Sequence, residues 1–354
     1  MDPRTDHRGA LRHHGDVDAG PGLLDFAVNV QGSGPPPWLR DRLVVALDGI
    51  GRYPAAAHDL QAREAVAARH GRRPDEVLVL AGSAEGFALL PALRPRLAAV
   101  VHPGFTEPEA ALRSADVPVV HVLTDEADGH RLRPDAVPAE ADLVVIGNPT
   151  NPTGVLHPAA DVRALAAPDR VLLVDEAFAD AVVGEPETLA GAADVPGLLV
   201  FRSLTKTWAL AGLRAGYVLG DPALLARLAA PRPQWPVSTL ALEAVIGCSM
   251  PSAVEESRRA AERLATARAE QAARLAGVPG VTVLPGTAPY LLLRLPDGQG
   301  ERVRTALRGA GIAVRRGDTF PGLGPDHLRV AVRPAAQVTR LVTAMAEVLA
   351  AVAA

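Results

Sequence analysis

One lysine, Lys206, stands among 36 Lys plus Arg residues, so the other 35 basic side chains are arginine. Arginine serves wherever only positive charge is needed. Lysine can do what arginine cannot: lose its proton, attack a carbonyl and form a Schiff base. A chance surface lysine is the competing reading, and the neighbours decide between the two. Ser203-Leu204-Thr205 precede Lys206, and Arg214 follows eight residues later. Ser203 and Arg214 can hold a phosphate dianion while Lys206 reaches an aldehyde. Asp175-Glu176 closes an apolar run, Val171-Leu172-Leu173-Val174. A carboxylate there needs a partner, and a protonated ring nitrogen would supply one. An N-cap or a metal ligand is the alternative, but no convincing Asp, Glu or His set accompanies it, and no metal site is expected. Asn148-Pro149-Thr150-Asn151-Pro152-Thr153-Gly154 holds its backbone with two X-Pro steps and presents Asn side chains rigidly, unless it is an Asx-rich capping loop. Gly82-Ser83-Ala84-Glu85 opens a helix after a strand, where backbone N–H groups bind phosphate or merely cap. Phe105 can stack on an aromatic ring or belong to a core. A phosphate cradle, a carboxylate for a pyridinium, an Asn for a phenolic oxygen and one amine match the needs of pyridoxal 5′-phosphate.

Bringing these residues together takes a sheet. Apolar, β-branched runs fall at 77–81, 98–102, 117–122, 143–147, 171–175, 198–202 and 215–219, alternating with Ala/Leu-rich helical stretches. Continuous apolar runs of this length predict seven strands buried on both faces, in a mostly parallel α/β sheet. Such sheets bind ligands at their strands' carboxyl ends, where Ser83, Asn151, Asp175 and Lys206 all fall. Beyond residue 220 the pattern predicts helices at 222–230, 238–248 and 251–276. Strands at 281–284, 289–295, 312–315 and 327–332 follow, with helices at 299–310 and 335–352, forming a smaller α/β unit. The first 45 residues read as irregular and join it. The expected division is a large domain, 46–250, and a small one, 1–45 plus 251–354.

Composition narrows the function classes. Hydrophobic residues make up 48%, which suits a globular chain. A formal charge of −4 with scattered basic residues argues against nucleic acid or an acidic membrane as partner. The single cysteine, Cys248, excludes an intrachain disulfide framework. The stretch from Met1 to Gly15 is polar and is not expected to be a signal peptide. No run is apolar enough to span a bilayer, so a cytoplasmic protein is expected.

The chain resembles the fold-type I pyridoxal-phosphate enzymes, and within them the histidinol-phosphate aminotransferase and threonine-phosphate decarboxylase branch. It is most similar to an actinobacterial subgroup named after the cobalamin-biosynthetic enzyme. The resemblance runs over nearly the whole chain: His14-Gly15-Asp16, Leu24-Asp25-Phe26-Ala27-Val28-Asn29, Arg52-Tyr53-Pro54, Leu328-Arg329-Val330-Ala331-Val332-Arg333, and most specifically Arg202-Ser203-Leu204-Thr205-Lys206 with Ala211-Gly212-Leu213-Arg214-Ala215-Gly216-Tyr217. It implies that Lys206 is the Schiff-base lysine, Asp175 the pyridinium partner and Asn151 the ligand of the ring hydroxyl. Ser83, Ala84, Ser203 and Arg214 would hold the cofactor phosphate, and Phe105 would stack on the ring. Tyr53 would reach the phosphate in a neighbouring subunit, which implies a homodimer with shared active sites. Arg329 would bind a substrate carboxylate and Arg315 a distal phosphate or carboxylate, with Arg333 assisting and Asn29 on the substrate side.

Two positions separate the activities within the branch. Phe178 stands where the aminotransferases usually carry a tyrosine, and the decarboxylases resemble this chain there and in Ser-Leu-Thr-Lys. Asn29-Val30-Gln31-Gly32 departs from the decarboxylase-like Asn-Ile-Asn-Pro. The first expectation is therefore a lyase that decarboxylates L-threonine O-3-phosphate to aminopropanol phosphate. The second is an aminotransferase acting on histidinol phosphate or a related amino acid with 2-oxoglutarate. A third is a non-catalytic, cofactor-binding relative.

Overall fold

The computed structural model describes residues 11–353; the first ten residues of the polar N-terminal stretch lie outside it. Its strands, in chain order, are β1 (Leu24–Asp25), β2 (Val77–Leu80), β3 (Ala98–His102), β4 (Val119–Leu123), β5 (Leu143–Gly147), β6 (Val171–Asp175), β7 (Leu198–Ser203), β8 (Gly216–Gly220), β9 (Thr282–Val283), β10 (Tyr290–Arg294), β11 (Ile312–Ala313), β12 (Arg315–Arg316) and β13 (His327–Ala331). Seven of them form one sheet in the order β2-β8-β7-β6-β5-β3-β4. All neighbours pair parallel except β8, which runs antiparallel to both β2 and β7. These are the seven apolar runs of the sequence, with ends shifted by one or two residues.

The period of two along each strand explains why the runs are apolar throughout. Ala99, Val101, Val144, Ile146, Leu172, Val174, Leu198 and Val200 bury into one core. Their neighbours Ala98, Val100, Leu143, Val145, Leu173, Leu199 and Phe201 bury into a second core across the sheet. Both faces are covered, so no position along a central strand is left for a polar residue until the strand ends. Packing above the sheet is close. A Cβ at Gly86, in the helix Ser83–Leu89, would lie 2.4 Å from the Phe201 ring.

A second unit holds an antiparallel sheet, β12-β13-β10-β9, and a short parallel pair, β1 with β11. Its core gathers Phe26, Leu291, Leu293, Val303, Leu328 and Met345 among others. Residues 24–26 pair and pack with this unit. The rest of the N-terminal region does not follow the expectation of irregular chain. Pro37–Ala46 is a helix, with proline in its first turn where the missing N–H costs nothing. Its Leu39 buries in the large unit's core, and Trp38 Nε1 donates to Glu256 at 2.8 Å. That helix sits on the large unit, although it falls in the segment 1–45 grouped with the small one. No helix among the described residues is long and apolar enough to cross a membrane.

Candidate active site

The strand period sorts side chains at the ends of β6 and β7. In these paired strands Asp175 lies opposite Phe201. Odd positions, Leu173 and Asp175 with Leu199, Phe201 and Ser203, face one side of the sheet. Even positions, Val174 and Glu176 with Val200 and Arg202, face the other. The odd set ends in a cavity of about 420 Å³; the even set ends in a buried ion network. Arg202 Nη1 lies 2.9 Å from Glu176 Oε2, and Arg202 Nη2 contacts Asp180 and Glu185. Arg69 adds a 2.7 Å contact to Asp180. Glu176 also accepts from Thr188 Oγ1 and the Leu189 N–H, both at 2.6 Å. Each buried carboxylate thus faces cations and donors.

The cavity is lined by Ser83, Ala84, Phe105, Asn151, Asp175, Ser203, Lys206, Arg214, Arg315, Arg329 and Asn29, eleven of the thirteen candidate residues. Asp175 accepts one backbone N–H, from Ala177 at 3.1 Å, and no side-chain donor. Burial pushes its carboxyl up to about 7, against the pull of that N–H and of Lys206. Burial also lowers the Lys206 amine to about 8, helped by the repulsion of Arg329 and Arg214. The segment ahead of the helix Pro37–Ala46 covers this lysine, with the Gln31 N–H donating to the Lys206 carbonyl at 3.0 Å.

Opposite Asp175, the chain forms a cradle. Gly82 has φ of 79°, and a Cβ there would meet the Arg214 guanidinium at 2.8 Å. Arg214 itself sits at φ of 60°, and its Nη1 donates to the Ala211 carbonyl. A strained arginine held beside a helix start is the sort of outlier found where a ligand is gripped. Ser203 Oγ stands 2.7 Å from Thr205 Oγ1, so a second hydroxyl joins the cradle. Thr205, Phe320 and His14 also line the cavity and were not singled out by sequence. Thr205 was readable, one residue before Lys206. The His14 contact to Glu107 Oε1 spans 93 residues and left no local signal.

Only one asparagine of the Asn148–Gly154 string reaches the cavity. Asn148 turns inward and bonds both backbone groups of His157, at 2.8 and 3.0 Å. Thr150 Oγ1 caps the Gly147 carbonyl at 2.7 Å, and the Tyr290 hydroxyl donates to the Thr150 carbonyl. Asn148 is thus a strut, and Asn151 is the presented side chain. The Arg329 guanidinium donates to Asn151 Oδ1, leaving the amide N–H groups of Asn151 for a ligand.

The arginines separate by partner. Arg315 on β12 and Arg329 on β13 are direct cross-strand neighbours, both buried. Arg315 is committed: Asp18 at 3.3 Å, the His13 carbonyl and Thr319 Oγ1 take its N–H groups. Among the described residues, Arg329 meets only neutral oxygens, of Asn151 and Ala27, and its Nε has no partner. A buried guanidinium without a counterion faces the cavity. Arg333 does not line it. It donates to the carbonyls of Asp25, Val28 and Val30, clamping the segment that carries Asn29. Asn29 Oδ1 is buried and unpartnered. Tyr53 stands apart as well, 74% exposed and stacked on Trp235 at 4.2 Å.

The family described as aminotransferase class I and II matches residues 23–345. A histidinol-phosphate aminotransferase of Mycobacterium tuberculosis is 51% identical over 96% of this chain and 91% of its own length. The threonine-phosphate decarboxylase of Salmonella typhimurium is 35% identical over 94% of this chain and 92% of its own. The crystal structure of the histidinol-phosphate aminotransferase from Clostridium acetobutylicum superposes with a TM-score of 0.84 at 22% identity, covering 92% of this chain and 99% of that one. The chain belongs to the aminotransferase class I and II family and has its fold-type I architecture. It is an enzyme of that family, and its cofactor is pyridoxal 5′-phosphate.

The cavity fits that group: a near-partnerless carboxylate, an amine of lowered basicity and a hydroxyl-arginine cradle all face one space. The Asp175 carboxyl holds its proton to higher pH folded than unfolded, between about 4 and 7. Stability of the cofactor-free chain is therefore lost as pH rises through that window. Asp175→Asn is expected to stabilise the cofactor-free chain above pH 7, on the order of 1–3 kcal/mol, with the gain vanishing near pH 4. Urea denaturation at both pH values checks this; a pH-independent difference would contradict the assignment of a strained carboxylate.

Proposed function

We propose that this enzyme transfers the amino group of a phosphate-bearing amine, histidinol phosphate foremost, to 2-oxoglutarate. The observation that carries the reading is the uncompensated guanidinium of Arg329 beside Lys206 in one cavity. It can hold the phosphate of one substrate and a carboxylate of the other in turn, as a planar fork. The relatives at 51% identity support transfer ahead of the decarboxylation that the Ser-Leu-Thr-Lys string and Phe178 favour.

When bound, pyridoxal phosphate supplies a ring that withdraws electrons from the substrate's α-carbon. Asp175 would face the ring nitrogen and keep it protonated, in return for the counterion its own burial demands. The Asn151 amide would donate to the ring hydroxyl, and Phe105 would lie on the ring face. Ser83 and Ala84 at the helix start, with Ser203 and Arg214, would hold the phosphate. Lys206 would be the residue that holds the aldehyde, and its free amine would accept the proton of the substrate's α-carbon on Nζ. An amine near 8 can both accept and return a proton around neutral pH. Asn29, with its unpartnered oxygen, would accept from a substrate N–H or O–H. Arg315, already paired with Asp18, would set the field around Arg329 rather than hold the anion alone. Arg333 would act by fixing the segment of Asn29.

Of the features that favour the decarboxylase reading, Phe178 is the one at the cavity wall. Its ring packs edge to face on Tyr290 at 5.1 Å and gives the cavity wall no hydroxyl. We also propose a homodimer in which Tyr53 enters the partner's site. Val44, Val45, Leu47, Ile50, Tyr53 and Trp235 are all exposed in the single chain, an apolar row that a second copy would cover.

The holoenzyme given histidinol phosphate and 2-oxoglutarate is expected to form glutamate without CO2. Release of CO2 from threonine phosphate with no oxoacid present, and no glutamate in the first assay, would overturn transfer in favour of the lyase. Sedimentation at assay concentration is expected to show a dimer; a fully active monomer would exclude shared sites.

A further inference from the structure

At the sheet edge beyond the cavity wall, three side chains converge that the chemistry above does not use. His102 ends β3, His121 lies on β4, and Glu109 belongs to the helix Glu107–Ser114 packed over both. β3 and β4 run parallel with Val100 opposite His121 and His102 opposite Leu123, so the two histidines share a face one step apart. His102 Nε2 lies 2.8 Å from Glu109 Oε2, and His121 Nε2 lies 2.8 Å from Glu109 Oε1. One ligand atom from each residue falls within 4.8 Å of the other two. The imidazole rings meet edge to face at 4.7 Å. His102 and Glu109 are buried, while His121 is 33% exposed and opens the cluster to solvent.

We propose that His102, Glu109 and His121 form a divalent transition-metal site, with zinc as the best-matched ion and water completing the coordination. Two imidazoles and one carboxylate suit zinc and its borderline neighbours, whereas calcium and magnesium prefer oxygen alone. The three ligands come from two strands and a helix, not from loops, so the set is largely preorganised. Zinc bonds of about 2.0–2.1 Å in a tetrahedron put ligand atoms about 3.3 Å apart; the two histidines now lie 2.8 Å from different Glu109 oxygens, so the carboxylate has to turn one oxygen between them within a cluster already inside 4.8 Å. His102 turns its Nε2 into the cluster. Among the described residues its Nδ1 is buried without a partner, and zinc on Nε2 would place the ring proton there. Glu109 faces His102, His121 and Arg113 with its two oxygens. Arg113 Nε donates to Glu109 Oε1 at 2.6 Å and competes for that oxygen. It is 39% exposed, so it can swing into solvent or stay on Oε1 while the metal takes Oε2. The spacing His-x6-Glu-x11-His forms no compact motif, which is why the sequence alone led to no metal being expected.

Zinc chloride is the probe, applied to the full-length, cofactor-loaded enzyme and followed by exhaustive dialysis and elemental analysis. The expected result is one zinc per chain more than His121→Ala retains, with a zinc-dependent rise in melting temperature that the variant lacks. His121 is partly exposed and outside the catalytic cavity, so this variant should fold and keep its activity; circular dichroism checks the first point. Arg113→Ala, which removes the competing cation, should bind zinc more tightly than the wild type. Equal zinc retention by wild type and a folded His121→Ala, or none by either, would overturn the proposal and leave a hydrogen-bonded His-Glu-His cluster. Neither outcome depends on which reaction the enzyme catalyses.

Discussion

The buried contact of Arg202 with Glu176 and Asp180 is what the rest of the site depends on. It fixes the register of β6 against β7 at the end where the sheet opens. Because side chains alternate along a strand, a slip of β6 by one residue against β7 would put Glu176 into the cavity, away from Arg202, and Asp175 behind the sheet. Apolar strand residues resist such a slip only weakly here, since both faces are apolar and either alternation buries them. The charged pair resists it strongly: separated from Arg202, buried Glu176 would lose its cation, while Asp180 would keep only Arg69. Charge, not hydrophobicity, thus decides which face of the sheet receives the chemistry.

The cavity itself follows the opposite rule. Behind the sheet each buried charge has its partner; in front, Asp175, Lys206 and Arg329 have almost none. Asp175 keeps one backbone donor, and Arg329 bonds only neutral oxygens. Both arrangements cost stability in the cofactor-free chain, which the well-packed double core can absorb. Such local violations of polar pairing, in a molecule that otherwise satisfies it, mark the place where a ligand completes the structure. The groups left wanting are those that a pyridine nitrogen, an aldehyde and a substrate anion would satisfy.

Much of this was legible in the sequence because the signals are local. Seven apolar runs gave seven strands, and the candidate cofactor residues other than Tyr53 and Arg214 lie at or just past a strand end or at a helix start. Lys206 was conspicuous because arginine fills every other basic position. What stayed hidden depends on pairing across long separations. Nothing in Asn148 and Asn151 distinguishes a strut from a presented ligand until His157 is in place. Arg315 and Arg329 look alike as residues, and only Asp18, almost 300 positions away, commits one and leaves the other free. Arg333 lies four residues beyond Arg329, yet the strand ends between them, and it turns to clamp backbone carbonyls. The helix Pro37–Ala46 was missed because proline and glycine just before it read as irregular chain.

Lys206 is where the cofactor attaches in this arrangement, and borohydride reduction of the native holoenzyme traps that bond. Reduction, digestion and mass spectrometry locate the trapped cofactor. The expected result is one phosphopyridoxyl group per chain, on the peptide carrying Lys206. With one lysine in the chain, the α-amine is the remaining primary amine. Label on the N-terminal peptide instead, or an unlabelled Lys206 peptide from fully active enzyme, would contradict the site as assembled from these residues.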